Sequence, residues 1–175
     1  DEPFSNLDQH VRFQLIHEIR ELFKQRHMSA LFVTHSKEEG FAFADRIALM
    51  RAGKIIQIDT PQNLYQRPIT PYVADFMGQT NYIEAEVVDQ NSYKTCVGLL
   101  SSDEVISEPF GQKLRLLLRP EHLALASNND GEAVIKLVEF QGALQQITVY
   151  FKEQDFVIQM IKNYLPMTPL LSLYK

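Results

Sequence analysis

Two adjacent carboxylates at the start of the chain and one histidine further along have the residue types that nucleotide hydrolysis requires. Asp1 and Glu2 precede Pro3, and His35 follows a short apolar run. One carboxylate at a strand end can hold Mg²⁺ and so anchor the β- and γ-phosphates, while the other can orient and polarise the attacking water. A histidine at the tip of a neighbouring strand can hydrogen-bond the terminal phosphate or that water. The pattern therefore indicates half of a phosphoryl-transfer site.

Both features also have an ordinary explanation. A bare Asp-Glu pair is most often a solvated turn, and a lone histidine after a strand is most often structural or merely exposed, so the joint pattern carries the argument. No glycine-rich phosphate loop with its lysine occurs in the 175 residues. We therefore expect the chain to be the C-terminal part of an ATPase, truncated at its N-terminus and inactive alone.

The elements that must position these residues begin with a helix. Apolar residues at helical spacing predict this helix over residues 8–27, with Asp8 as its N-cap. Residues 30–34 form a short apolar run, which is typical of a strand buried on both faces in a parallel sheet. A capping-box pattern at Ser36 then predicts a second helix that ends near Ala44. The histidine is thus expected between a buried strand and a helix.

The pattern changes in the second half of the chain. Before that change, Ala52-Gly53 predicts a hairpin, and Thr60-Pro61 and Pro71 each predict the start of a short helix. Residues 78–81 have the composition of a linker. Beyond them, short strand candidates separated by turn signals argue for a small barrel or sandwich. The sequence therefore predicts two domains of different class.

Composition and charge narrow the classes of partner. The net charge is -5 at pH 7 and no basic run occurs, which argues against nucleic acid as a partner. Cys96 is the single cysteine, which excludes an intrachain disulfide and a cysteine metal cluster. No apolar stretch approaches the roughly 18 residues that a membrane span needs. His10, His17 and His27 fall on the first predicted helix without clustered partners, so we expect them to be solvated rather than metal-bound.

Several stretches resemble those of one family, the ATP-binding subunits of ABC transporters. Residues 1–8 resemble the end of its Walker B motif followed by its D-loop, and Thr34-His35 resembles its H-loop. The segments within 44–61 resemble the stretch after the H-loop in importer ATPases, and 68–78 resembles their junction to a C-terminal regulatory domain. Residues 119–122, Arg-Pro-Glu-His, are similar to a recurrent motif of that domain, the small OB-like barrel called TOBE.

The resemblance implies a fold of two parts. Residues 1–78 would be the C-terminal part of an α/β P-loop ATPase domain, with a parallel strand and helices. Residues 79–175 would be a small all-β OB-like TOBE regulatory domain. The family's phosphate loop, Q-loop and signature sequence would lie upstream. Because the strands beside residues 31–33 would lie upstream as well, self-association through the first 60 residues is expected.

The resemblance also assigns roles to the site residues. Asp1 would be the aspartate that is associated with Mg²⁺ through water, Glu2 the catalytic glutamate, and His35 the switch histidine at the γ-phosphate. ATP and Mg²⁺ are the implied cofactors of the full-length protein. The D-loop would cross the interface between two ATPase subunits toward the partner's phosphate loop, and its residues are Ser5, Asn6, Leu7 and Asp8.

The function implied by the resemblance is ATP hydrolysis coupled to solute uptake. Two identical ATPase subunits would close on two ATP molecules and drive a membrane permease, to which a periplasmic or extracellular binding protein brings the solute. The subunit would be peripheral, on the cytoplasmic face of the inner, or cell, membrane. The junction and the compact barrel look most like the ferric-iron group, among importers that also take sulfate, polyamines, sugars and molybdate.

Two alternatives stay open. The TOBE-like half could be a binding module that senses a small anion or a regulatory protein, with the first half a vestige of an ATPase. The chain could also be a plain structural fragment with no activity. Arg119 and Glu121 have the same ambiguity, since they could form a structural turn or a regulatory contact.

Overall fold

The computed structural model describes Phe4 and residues 7–127, 131–161 and 171–174. The chain divides into two compact units, Asp1–Gly78 and Gln79–Lys175. The elements of the first unit are α1 (Gln9–Gln25), α2 (Lys37–Phe43), β1 (Ile47–Arg51), β2 (Lys54–Asp59), α3 (Pro61–Gln66) and α4 (Pro71–Met77). Those of the second unit are β3 (Asn81–Asp89), β4 (Ser92–Thr95), β5 (Gly98–Ser101), β6 (Lys113–Leu118), a 3₁₀ helix (Pro120–His122), β7 (Ala124–Ser127), β8 (Val134–Gln141), β9 (Leu144–Phe151), β10 (Gln154–Ile161) and β11 (Leu171–Tyr174).

Each of the helices α1 to α4 begins where a side chain accepts a hydrogen bond from a backbone N–H of the first turn. The Asp8 carboxylate accepts from a first-turn N–H of α1 at 2.9 Å. The Ser36 hydroxyl accepts from the N–H of Glu39 at 3.2 Å, in the first turn of α2. Thr60 and Thr70 likewise cap α3 and α4, each of which begins with a proline. These caps provide partners for amides that have no carbonyl one turn back, and they confirm the predicted helix starts.

The hairpin of β1 and β2 turns through two residues in the left-handed region. Ala52 and Gly53 have φ angles of 49° and 75°. A turn whose two central residues are both left-handed matches the twist of the flanking strands, and glycine adopts this conformation without strain. The predicted hairpin is therefore confirmed. It shares a buried core with α3 and α4, which consists of Leu49, Leu64, Val73 and Met77.

The parallel strand predicted over residues 30–34 is wrong. The segment has no regular secondary structure, and Leu31 is 95% exposed. A strand needs a neighbour for its N–H and C=O groups, and no strand of the described ranges is hydrogen-bonded to this segment. The segment is held through Phe32, whose ring centroid lies 5.5 Å from that of Phe4 and 5.0 Å from that of Phe43.

The second unit contains three antiparallel sheets over its described residues, ordered β5-β4-β3-β6, β10-β9-β8 and β11-β7. Alternation along β9 buries Ile147 and Val149. No backbone ladder joins these described sheets into one closed barrel. Over the described residues of both units, more of the chain lies in β-strands than in helices. The core of the second unit consists of Ile83, Leu123, Ala133, Ile147, Val149, Phe156 and Ile158.

Asn81 ties β3 to β10 through its side chain. Its Nδ2 donates to the carbonyl of Val157, and its Oδ1 accepts from the Val157 N–H, both at 2.7 Å. The buried side-chain amide thus reproduces the paired hydrogen bonds that one strand residue makes to another. The prediction of a linker over residues 78–81 is therefore wrong at its last residue, which begins β3.

Candidate functional site around His35

His35 lies at a bend between an irregular segment and α2, and the residue is exposed. It borders a cavity of about 770 Å³ that is lined by residues of α1, α2, β1 and the segment before the histidine. A neutral imidazole can donate one hydrogen bond and accept another. The histidine therefore lies where a ligand can reach it, beside a surface that includes the exposed apolar side chains of Leu31 and Val33.

The residues on both sides of His35 are held by hydrogen bonds. The Thr34 hydroxyl donates to Glu39 Oε2 at 2.5 Å and accepts from the N–H of Ser36 at 3.0 Å. The Ser36 hydroxyl in turn accepts from the N–H of Glu39 at 3.2 Å. The backbone that carries the histidine is therefore fixed before and after it.

Glu39 and Arg12 continue this network. Glu39 is only 4% exposed, and its Oε1 accepts from Arg12 Nη1 at 3.2 Å. Arg12 Nη2 donates to the carbonyl of Leu7 at 3.0 Å. A buried carboxylate is tolerated when a cation and hydrogen-bond donors compensate for lost hydration, and Arg12 and Thr34 provide both here. One guanidinium thus joins the start of the chain to the loop around the histidine.

Besides Leu7 of the predicted D-loop, the structure describes two of the other six predicted site residues. One is His35, at its exposed bend, and the other is Asp8, an exposed residue whose Oδ1 caps α1. Leu7, the neighbour of Asp8, is linked through Arg12 and Glu39 to the residues beside the histidine. The other four lie outside the described residues, namely Asp1, Glu2, Ser5 and Asn6.

The exposed position of His35 is compatible with a bound nucleotide. An accessible imidazole can hydrogen-bond a phosphate oxygen, which is the role predicted for His35. Mg²⁺ prefers oxygen ligands, and nowhere in the described ranges do three His, Cys, Asp or Glu side chains come together as a metal site. The carboxylate predicted to hold the metal, that of Asp1, lies outside those ranges, so its role stays a prediction.

Cys96 adds no reactive nucleophile to the chain. The residue is exposed, but burial around its sulfur raises the pKa of the thiol, against the lowering effects of a backbone hydrogen bond and the charge of Lys152. The thiolate is the reactive form of cysteine, and a raised pKa leaves little of it at neutral pH.

Sequence reasoning missed Arg12 and Glu39. The helical pattern places Arg12 largely on the side of α1 opposite the apolar residues, yet its guanidinium bonds to a residue 27 positions away. The capping-box pattern signals Glu39 as a helix-start residue. Its carboxylate is engaged by Arg12 and Thr34, and no spacing in the sequence indicates that pairing.

The amino-acid sequence of the chain is similar to those of known proteins. Residues 116–165 match the TOBE domain. The chain is 37% identical over 155 residues to the Fe(3+) ions import ATP-binding protein FbpC of Haemophilus influenzae, which covers 85% of this chain and 43% of that protein. It is 33% identical over 166 residues to FbpC of Escherichia coli O157:H7, with 91% and 46% covered. It is 35% identical over 165 residues to the spermidine/putrescine import ATP-binding protein PotA of Mesorhizobium japonicum, with 91% and 43% covered.

The chain is homologous to the ATP-binding subunits of ABC importers. It spans less than half the length of the three relatives named. Among the described residues of this importer homologue, no helix is both long enough and apolar enough to cross a membrane.

The TOBE domain of the importer homologue contains a buried arginine. Arg119 is 1% exposed, and its Nη1 donates to the carbonyl of Gln79 at 3.2 Å. Its backbone N–H donates to Nδ1 of His122 at 3.3 Å, across the 3₁₀ helix that Pro120 begins. A guanidinium this deeply buried has little surface for a regulatory partner. The contacts therefore favour the structural interpretation of the Arg119 motif.

We expect Arg119→Met to lower the free energy of unfolding of the chain by about 1.5 to 3 kcal/mol, the typical contribution of a hydrogen bond from a charged group. Methionine keeps much of the volume but cannot donate to the Gln79 carbonyl. Urea denaturation followed by circular dichroism measures the change. Arg115 is the control, because it is largely exposed and forms a surface ion pair with Glu84, so Arg115→Met should cost at most about 1 kcal/mol. Equal losses in the two variants would contradict the structural role of Arg119.

Proposed function

We propose that this chain is the C-terminal part of the ATP-hydrolysing subunit of an ABC importer, in which ATP binding and hydrolysis drive solute uptake. The observation that carries the proposal is the similarity to import ATP-binding proteins over 85% to 91% of the chain. By the complete subunit we mean these residues together with the nucleotide-binding residues that the proposal places upstream. The chain without them is expected to be inactive.

In the proposed site, His35 contacts the terminal phosphate of ATP and Glu2 accepts a proton from the attacking water. The support for His35 is its exposure and the hydrogen bonds that fix Thr34 and Ser36 on either side of it. Bound Mg²⁺, held through water by Asp1, would neutralise charge that develops on the phosphates. Ser5, Asn6 and Asp8 would complete the nucleotide site across a subunit interface.

The proposal also includes the finer architecture and the partners. The first unit would be the C-terminal part of an α/β P-loop domain whose other strands lie upstream, and the exposed apolar side chains of Leu31 and Val33 would give those parts a surface to cover. Residues 79–175 would be the OB-like TOBE barrel. Two subunits would form a homodimer, bind membrane permease subunits at the cytoplasmic face of the cell membrane, and depend indirectly on a solute-binding protein.

Ferric iron is the proposed solute. FbpC, named for the import of Fe(3+) ions, is 37% identical to this chain in Haemophilus influenzae and 33% in Escherichia coli O157:H7. The alternative solute is a polyamine, since PotA of Mesorhizobium japonicum, named for spermidine and putrescine import, is 35% identical. Uptake of labelled iron and of labelled spermidine by cells with and without the complete subunit distinguishes the two.

A second candidate function is a TOBE binding module with a vestigial ATPase remnant. It is favoured by the TOBE match over residues 116–165, which needs no nucleotide. Isothermal titration of the complete subunit with ATP and Mg²⁺, and separately with small anions such as molybdate and sulfate, separates the two functions. We expect ATP to bind. Anion binding without ATP binding would replace the proposed ATPase function with a sensing one.

A further inference from the structure

Arg12 contacts two parts of the first unit, and the proposed site requires a fixed position of one relative to the other. One is the segment that ends at Leu7, which follows the Asp1-Glu2 pair in sequence, and the other is the loop around His35. We propose that Arg12 and Glu39 are positioning residues that hold the loop around His35 at a fixed position relative to the Leu7 segment. The inference rests on the proposed function, since it states how two parts of that site are kept in relation to each other.

A continuous path of hydrogen bonds connects the two parts. Arg12 Nη2 donates to the Leu7 carbonyl at 3.0 Å, and Nη1 donates to Glu39 Oε1 at 3.2 Å. The other carboxylate oxygen, Oε2, accepts from the Thr34 hydroxyl at 2.5 Å, and that hydroxyl accepts from the Ser36 N–H at 3.0 Å. The path ends on the two residues that flank the histidine, so a shift at Leu7 is transmitted to them.

Burial strengthens the hydrogen bonds of this path. The Glu39 side chain is 5% exposed and the Arg12 side chain 25% exposed, so water competes poorly for their hydrogen bonds. Arginine presents its donors in a rigid planar fork, which lets one side chain serve two acceptors in fixed directions. A lysine ammonium at the same position would be a single point charge on a flexible stem and would hold the two acceptors less firmly.

Arg20, another arginine of α1, donates hydrogen bonds to residues outside the loop around His35. Its Nη2 donates to Asp45 Oδ1 at 3.1 Å and its Nη1 to the carbonyl of Ala42 at 3.4 Å. Arg20 therefore also ties α1 to the region of α2, but at the end of α2 away from the histidine. It shares residue type, helix and partner element with Arg12, which makes Arg20→Met a matched control for Arg12→Met.

The first test measures amide hydrogen exchange in the 175-residue chain, where no nucleotide is needed. The N–H groups of Ser36 and Glu39 report directly on the loop, since both donate to its hydroxyls. After correction for global stability, we expect Arg12→Met to speed their exchange about tenfold, the effect of losing a charged hydrogen bond, and Arg20→Met to leave it near wild type. Equal effects of the two variants, or no effect of either, would overturn the proposal.

The proposal can still be tested if Arg12→Met has a folding defect. Arg12→Lys keeps the charge and most of the stem, and we expect it to speed exchange at Ser36 and Glu39 by less than the methionine variant but more than Arg20→Met. If Arg12→Met does not fold, the same comparison is made with Arg12→Lys. Exchange in Arg12→Lys that equals exchange in Arg20→Met then overturns the proposal.

The second test measures ATP hydrolysis by the complete subunit. Misplacing a reacting group by about 1 Å can cost about 100-fold in rate, so we expect Arg12→Met to lower kcat by about 10- to 100-fold with KM for ATP unchanged. Arg20→Met should retain wild-type kcat, and equal losses in both variants would contradict a positioning role. If the wild-type subunit hydrolyses no ATP, the proposed function fails. The exchange experiment still decides whether Arg12 holds the loop around His35.

Discussion

Glu2→Gln in the complete subunit is expected to lower the kcat of ATP hydrolysis by about 10²- to 10⁴-fold, the typical contribution of a general base. Glutamine has nearly the same size and shape as glutamate, but its neutral amide cannot take a proton from the attacking water. ATP binding should survive, because the substitution leaves the contacts to the nucleotide in place. Phosphate release measures the rate, and isothermal titration measures the retained affinity, so the variant should trap ATP unhydrolysed.

Glu21→Gln is the control for this substitution. Glu21 is an exposed residue of α1 and lies outside the predicted site, so the same change of charge there should leave hydrolysis unaltered. Unchanged hydrolysis in Glu2→Gln would remove the catalytic role from that residue. A loss in both variants would attribute the effect to net charge rather than to a general base.

His35→Ala is expected to lower kcat by about 10²- to 10³-fold, as for the loss of one preorganised hydrogen bond to the charge that develops in the transition state. The residue is exposed, and substitutions at such positions usually change stability by at most about 0.5 kcal/mol. A fall in kcat with unchanged urea denaturation would therefore report chemistry and not folding.

Two other histidines provide the controls. His10 and His17 are exposed residues of α1, so His10→Ala and His17→Ala remove the same side chain from the same unit. We expect both to hydrolyse ATP at the wild-type rate. Wild-type hydrolysis in His35→Ala would contradict its predicted contact with the terminal phosphate.

Local signals made much of the first unit predictable. Ser36 and Thr60 accept from N–H groups of the helices that follow them, so their effect depends on residues within one turn. The turn at Ala52-Gly53 is also local, because it needs only two residues that can adopt positive φ. Features of this kind are determined by neighbours in sequence, and a pattern over a few residues contains them.

The segment 30–34 shows where a local pattern fails. Its apolar residues predict a buried strand, but a strand forms through hydrogen bonds to another strand that the segment itself does not contain. Over the described residues that neighbour is absent, and Phe32 holds the segment by ring contacts with Phe4 and Phe43. The apolar pattern indicated a surface suited to burial, not the partner that would bury it.

Long-range polar contacts were the other features beyond prediction. Arg12 and Glu39 are 27 residues apart, and Arg119 reaches Gln79 across 40 residues. Charged residues are exposed in most folds, so each is expected to be solvated until the fold brings its partner close. The fold therefore decides which charged side chains become structural. Arg12 and Glu39 do so within the first unit, and Arg119 does so within the TOBE domain.

The central claim is that Glu2 and His35 meet around the terminal phosphate of ATP. The measurement that tests it most directly is a crystal structure of the complete Glu2→Gln subunit with ATP and Mg²⁺ bound. We expect an imidazole nitrogen of His35 about 3 Å from a γ-phosphate oxygen, with the residue 2 side chain beside the water that faces the phosphorus. A bound nucleotide with His35 separated from its γ-phosphate by more than about 10 Å, beyond the reach of a direct or single-water hydrogen bond, would contradict the claim.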